Sequence, residues 1–205
     1  MSAEVPSSTT AGANADANAN TTGGPSGLSD PGVYTLCRGL ADGSRLCIEF
    51  RRAGDRFTHT IRRTDASGET AGEWVEVQAG DSDDWPASPP IQELSLESIA
   101  GSDVLLGVGR AGKSHWSISV ETSEVDGEAC LHLDIACRCP APPQWLGSTY
   151  DVKPTAINVQ ASRSPLVIRC EADTSAAEAA SRWVVEPIDR PSRWPGTVRW
   201  RFSVR

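Results

Sequence analysis

The sequence predicts an all-β fold: a two-sheet antiparallel sandwich, or a barrel-like relative of it, of roughly ten strands. Three observations predict it. From Val33 onward apolar residues recur with a period of two. The apolar runs are short and recur about every 8–15 residues, with Gly, Pro, Asp or Ser between them. No alternation of strand and helix patterns is present, so a parallel sheet has no connections to build it.

Residues 1–31 are small and polar, rich in Ala, Asn, Ser, Thr and Gly. They bury too little apolar area to offset chain entropy and are expected to form a disordered tail. Residues 32–205 are then expected to fold as a single domain. Leu46, Ile48 and Phe50 alternate with Arg45, Cys47, Glu49 and Arg51, and Phe57, His59 and Ile61 alternate with Arg56, Thr58, Thr60 and Arg62. With Arg52-Ala53-Gly54-Asp55 between them, these runs predict a hairpin with one wet, Arg-rich face. Trp116, Ile118 and Val120, then Leu131, Leu133 and Ile135, predict a second hairpin across Asp126-Gly127. Val198, Trp200, Phe202 and Val204 predict a closing strand. Weaker strand patterns cover 33–38, 73–78, 91–96, 103–108, 155–160, 165–171 and 183–187. Ser175-Ala-Ala-Glu178 has the form of a capping box and predicts one short helix over 175–182. The Pro-rich stretch from Cys139 to Tyr150 is expected to be a long connection.

The chain of 205 residues carries a net charge of −8, unevenly spread. No Lys or Arg stands between Arg63 and Arg110, where ten acids do: Asp65, Glu69, Glu73, Glu76, Asp81, Asp83, Asp84, Glu93, Glu97 and Asp103. Residues 181–205 hold six Arg against Glu186 and Asp189. Such runs form either complementary surfaces within the fold or an acidic face for a basic partner. The net charge opposes non-specific nucleic-acid binding. No apolar run approaches 18 residues, so no membrane-spanning helix is expected. The N-terminus lacks a basic start followed by an apolar stretch. A cytoplasmic setting with mostly reduced thiols is therefore expected.

Gly107-Val-Gly-Arg-Ala-Gly112-Lys113-Ser114 matches the phosphate-cradling pattern G-x-x-x-x-G-K-[ST]. That chemistry needs a helix starting at the Lys. His115-Trp116-Ser117-Ile118-Ser119-Val120-Glu121 instead alternates like a strand, so the Gly-rich segment reads as a hairpin turn whose glycines supply positive φ, and nucleotide binding is disfavoured.

Among Cys37, Cys47, Cys130, Cys137, Cys139 and Cys170, only Cys137 and Cys139 are close, and no C-x-x-C knuckle exists for zinc. Cys137 and Cys170 each continue an inward apolar row, and the cysteines are expected to be core thiols. No metal or cofactor is expected. His59 is expected to be a satisfied core histidine. His132 and Asp134 share one strand face as an acid–base pair, and with His115 they are the candidates for an alternative, enzymatic or ligand-binding site at one end of the sandwich. Asp81-Ser-Asp83-Asp84 reads as a solvated acidic turn.

Trp74, Trp116, Trp183 and Trp200 fall in strand patterns and are expected in the core. Trp85, Trp145 and Trp194 sit in loops, two of them beside Pro, as lids over the core or as a recognition platform. The leading expectation is a non-enzymatic binding module for an unidentified protein or small ligand, with a basic surface as one candidate partner. Its interaction candidates are Trp85, Trp145, Trp194, Asp83 and Asp84.

Overall fold

The computed structural model describes residues 32–78, 83–153, 166–171, 174–179 and 181–205. The expected tail over 1–31, the strand expected over 155–160 and Asp81 lie outside these residues. Thirteen strands are described: β1 (Val33–Gly39), β2 (Arg45–Ala53), β3 (Arg56–Thr64), β4 (Thr70–Glu76), β5 (Ile91–Ile99), β6 (Ser102–Ala111) and β7 (Ser114–Val125). After these come β8 (Glu128–Cys139), β9 (Ser148–Lys153), β10 (Ile168–Cys170), β11 (Thr174–Ala179), β12 (Arg182–Pro187) and β13 (Gly196–Val204).

All pairings are antiparallel, and the strands join into one sheet. It bends into two layers. One runs β1-β2-β3-β4-β9-β12-β11 and the other β5-β6-β7-β8-β13-β10. A single bridged pair, Phe57↔Ile91, connects them. At the opposite end the layers approach again, where Arg201 N donates to Thr174 Oγ1 (2.8 Å). The result is the nearly closed, barrel-like form of the expected fold, which leaves few open edges.

Alternation builds the core. Leu131, Leu133, Ile135 and Cys137 point inward from β8 and Trp116, Ile118 and Val120 from β7. Trp200, Phe202 and Val204 do the same from β13. They meet Leu46, Ile48, Phe50, Ile61 and Trp74 of the facing layer. Trp74, Trp116 and Trp200 are fully buried, whereas Trp183 is half-buried against the core. Asp126 and Gly127 both take positive φ (56° and 78°), the two-residue turn that matches strand twist.

Gly107 to Ala111 belong to β6, Gly112-Lys113 is a turn, and Ser114 opens β7 opposite Ala111. No helix starts at Lys113, so this segment is a hairpin.

Three expectations are corrected. The helix expected over 175–182 is not what the described residues form: residues 175–179 lie in β11 and Arg182 opens β12, which pair from Thr174↔Pro187 to Ala179↔Arg182. An isolated eight-residue helix is marginal, and a partner strand saturates the same backbone groups along its length. The Ser175 hydroxyl, instead of capping a helix, lies 3.5 Å from Glu186 O. Second, Cys37 and Cys47 form a disulfide rather than reduced core thiols. They stand directly opposite each other on β1 and β2, on the outward side of the inward residues Leu36, Leu46 and Ile48. Third, Cys170 is exposed because β10 spans only Ile168–Cys170 and the inward row ends with Leu166 and Ile168. Cys130, Cys137 and Cys139 are buried thiols, as expected.

Candidate functional site

The β5 strand has two different edges. Towards β6 it pairs from Ile91↔Gly109 to Ile99↔Ser102. Towards β3 it pairs only at Ile91. A register shift at Gln92 turns the strand away, and Arg52 donates to Gln92 O (3.0 Å) where the two strands part. Beyond that point, the backbone edge from Glu93 to Ile99 pairs with no other strand among the described residues. The same stretch exposes Leu96 (45%) and Ile99 (50%). Glu93, Ser95, Glu97 and Ile99 share one face by strand alternation. Glu93, Glu97 and Asp103 make no ion pair among the described residues.

The face beside this edge carries a depression of about 740 Å³. Strand register explains its shape. One cross-strand row reads Glu93, Val108, Ser117, Ala136, Arg199, and the next reads Ser95, Leu106, Ser119, Asp134, Arg201. In the first row Val108, Ser117 and Ala136 are short and the longer Glu93 and Arg199 stand at the rims. At the β13 rim Arg199 holds Asp134 through two hydrogen bonds, Nε to Oδ1 at 2.6 Å and NH2 to Oδ2. Charge is thus compensated on the β13 side, while Glu93 leaves the β5 side acidic.

The predicted interaction residues do not converge on one place. Asp83 and Asp84 are exposed and Trp85 is half-buried against the core, all in the loop that leads into β5. Asp84 lies over Gly112, where an added Cβ would collide with its carboxylate. Trp145 is half-buried on the β8–β9 connection, its indole stacked so close to Gly147 that a Cβ there would lie 2.8 Å from Cζ2. Trp194 is half-buried against the core on the β12–β13 connection.

The expected His132–Asp134 pair does not form, because Arg199 occupies Asp134. His132 Nε2 instead lies 2.7 Å from Ser123 Oγ on an open sheet face. The Asp126-Gly127 turn sets Glu121 opposite His132 and Ser123 one step diagonal to it, a register readable from the sequence.

His59 is the core histidine the pattern predicts, and it is one link in a buried chain. Trp200 Nε1 donates to Ser148 Oγ (3.2 Å), and Ser148 hydrogen-bonds Tyr150. Tyr150 OH meets His59 Nε2 (2.9 Å), and His59 Nδ1 meets Glu76 Oε2 (3.1 Å). Burial, and secondarily the Glu76 charge, hold the Tyr150 phenol well above its ordinary value. These groups tie β3, β4, β9 and β13 together inside the core, away from the depression beside β5. Cys137 and Cys139 are a second buried pair, Sγ atoms 3.4 Å apart. Burial, then the neighbouring thiol, pushes Cys137 up, so it stays a protonated core group.

No family model, curated protein or solved structure matches the chain.

Proposed function

We propose that the protein is a non-enzymatic recognition module. The open edge of β5 takes up an extended segment in which Lys or Arg alternates with apolar residues, adding it as a further strand. One observation carries this. The unpaired edge exposes Leu96 and Ile99 beside Glu93 and Glu97, which have no cationic partner among the described residues. Exposed edges are usually blunted by Lys, Pro or a bulge, and this one has only the bulge at Gln92. Backbone hydrogen bonds would supply the affinity, and the alternating carboxylates the choice of partner.

A second copy is a poorer occupant. Antiparallel self-pairing centred on Ser95 sets Glu93 opposite Glu97 of the other chain, and like charges directly opposite destabilise a sheet. Asp83 and Asp84 extend the acidic field at the start of the strand, with Trp85 beside them. Trp194 acts as a lid on the core, and Trp145 packs over Gly147. The acidic edge repels nucleic acid.

Fluorescence anisotropy with a labelled Lys-Val repeat peptide tests the proposal. Binding should weaken as salt rises, and it should be lost in the Glu93→Lys/Glu97→Lys double variant. An Asp-Val repeat binding as well, or the double variant binding unchanged, contradicts it. The Ser123–His132 hydrogen bond favours one alternative, a hydrolytic site, which labelling of Ser123 by a fluorophosphonate probe would support.

A further inference from the structure

We infer that the Cys37–Cys47 bridge is a thiol-exchange site for carboxylate-bearing, low-molecular-weight thiols of the glutathione class. The inference is independent of the β5 edge, since β1 and β2 lie in the other layer. Among the described residues β1 is an edge strand paired only with β2. The bridge sits on its outward face, with Cys37 exposed and Cys47 half-buried. An incoming thiolate therefore reaches Cys37 Sγ first.

On the Cys47 side of the bridge, with Cys37 outside its lining, is a depression of about 550 Å³ that holds Arg45, Glu49, Thr60 and Arg62 among others. The charges around it are mostly committed. Glu73 holds Arg62 (2.9 Å), and Arg51 holds Glu49 (2.6 Å). Arg45 stands two residues before Cys47 on the same strand face and makes no ion pair among the described residues. It is placed to meet a carboxylate of the incoming thiol and to favour the thiolate that leaves.

The exchange balances as follows. The thiolate RS⁻ attacks Cys37 Sγ, the Cys37–Cys47 bond breaks, and the electron pair leaves on Cys47 as thiolate. A second RS⁻ attacking the outer sulfur of the adduct frees Cys37 as thiolate and releases RSSR. Two electrons have then passed from two thiols to the bridge. The interior thiols take no part: Cys130, Cys137 and Cys139 are fully buried. Cys170 is exposed and would confuse the readout, so the test removes it.

The full chain carrying Cys170→Ser is oxidised, exposed to glutathione without denaturant, quenched in acid, and analysed by intact mass and peptide mapping. One glutathionyl group is expected, on Cys37, with Cys47 free to alkylate. Cys47→Ser in the same background should collect the same adduct from oxidised glutathione. Arg45→Glu should slow adduct formation about threefold by opposing both the approaching anion and the departing thiolate. The inference is overturned if adducts appear only after denaturation, if they map to Cys47, if Arg45→Glu has no effect, or if the mildly oxidised chain keeps Cys37 and Cys47 as thiols.

Discussion

Replacing Tyr150 with Phe removes one oxygen from the chain that joins the two layers. The ring can keep its place against Trp74 and Phe202, whose centroids lie 6.1 and 6.2 Å away. The hydrogen bond to His59 Nε2 at 2.9 Å is lost, and Ser148 loses a partner as well. A buried hydrogen bond is worth about 1–1.5 kcal/mol net, and stranding a buried polar partner costs about 1–3 kcal/mol, so a total of about 2–4 kcal/mol is expected. At about 3 °C per kcal/mol for a domain of this size, that lowers Tm by about 6–12 °C. Urea unfolding followed by Trp fluorescence measures the change. Raising the pH sharpens the test. Above the ordinary phenol value of 10.0 an unfolded Tyr150 releases its proton while the folded one keeps it. The folded state then binds more protons, so the wild type loses about 1.4 kcal/mol per pH unit from this group, and its advantage over Tyr150→Phe narrows. A loss below about 0.5 kcal/mol at neutral pH, or a gap that widens above pH 10, would refute the buried chain as a structural tie.

Cys37→Ser should cost about 2–3 kcal/mol under oxidising conditions, because a bridge across a sequence separation of 10 restrains the unfolded chain, and reductant should abolish the difference. Gly109→Ala should be far more damaging, since its Cβ would strike the Pro90 carbonyl where β5 begins. A loss of about 3 kcal/mol or more is expected in urea, or failure to fold. Lys113→Ala should change stability by less than about 0.5 kcal/mol, because Lys113 is an exposed turn residue. ATP with Mg²⁺ should leave the Tm of the wild type unchanged, as thermal-shift measurements will show.

Much of the fold is legible because alternation decides both structure and facing. Leu131 to Cys137 and Val198 to Val204 announce their inward rows, and Asp126-Gly127 announces its turn. The rest depends on partners distant in the chain. Ser175 to Ala179 has helical propensity, and only β12 makes it a strand. β9 hides behind a Pro-rich stretch because Ser148, Thr149 and Tyr150 are all buried and no alternation survives. The Cys37–Cys47 bridge requires knowing that β1 and β2 pair in a register that sets the two cysteines face to face. Of the candidate site, the acidity from Asp65 to Asp103 is plain in the sequence. That β3 pairs with β5 at Ile91 alone, leaving an open edge, follows from the bend between the layers and has no local signal.

Amide hydrogen exchange, resolved by residue, tests the open edge most directly. With the Lys-Val peptide bound, amides between Glu93 and Ile99 that face away from β6 should become protected, and Leu96→Pro should remove that protection without unfolding the core. Protection confined to the depression floor at Ser117, Ser119 and Ala136, or none along β5, would contradict strand addition.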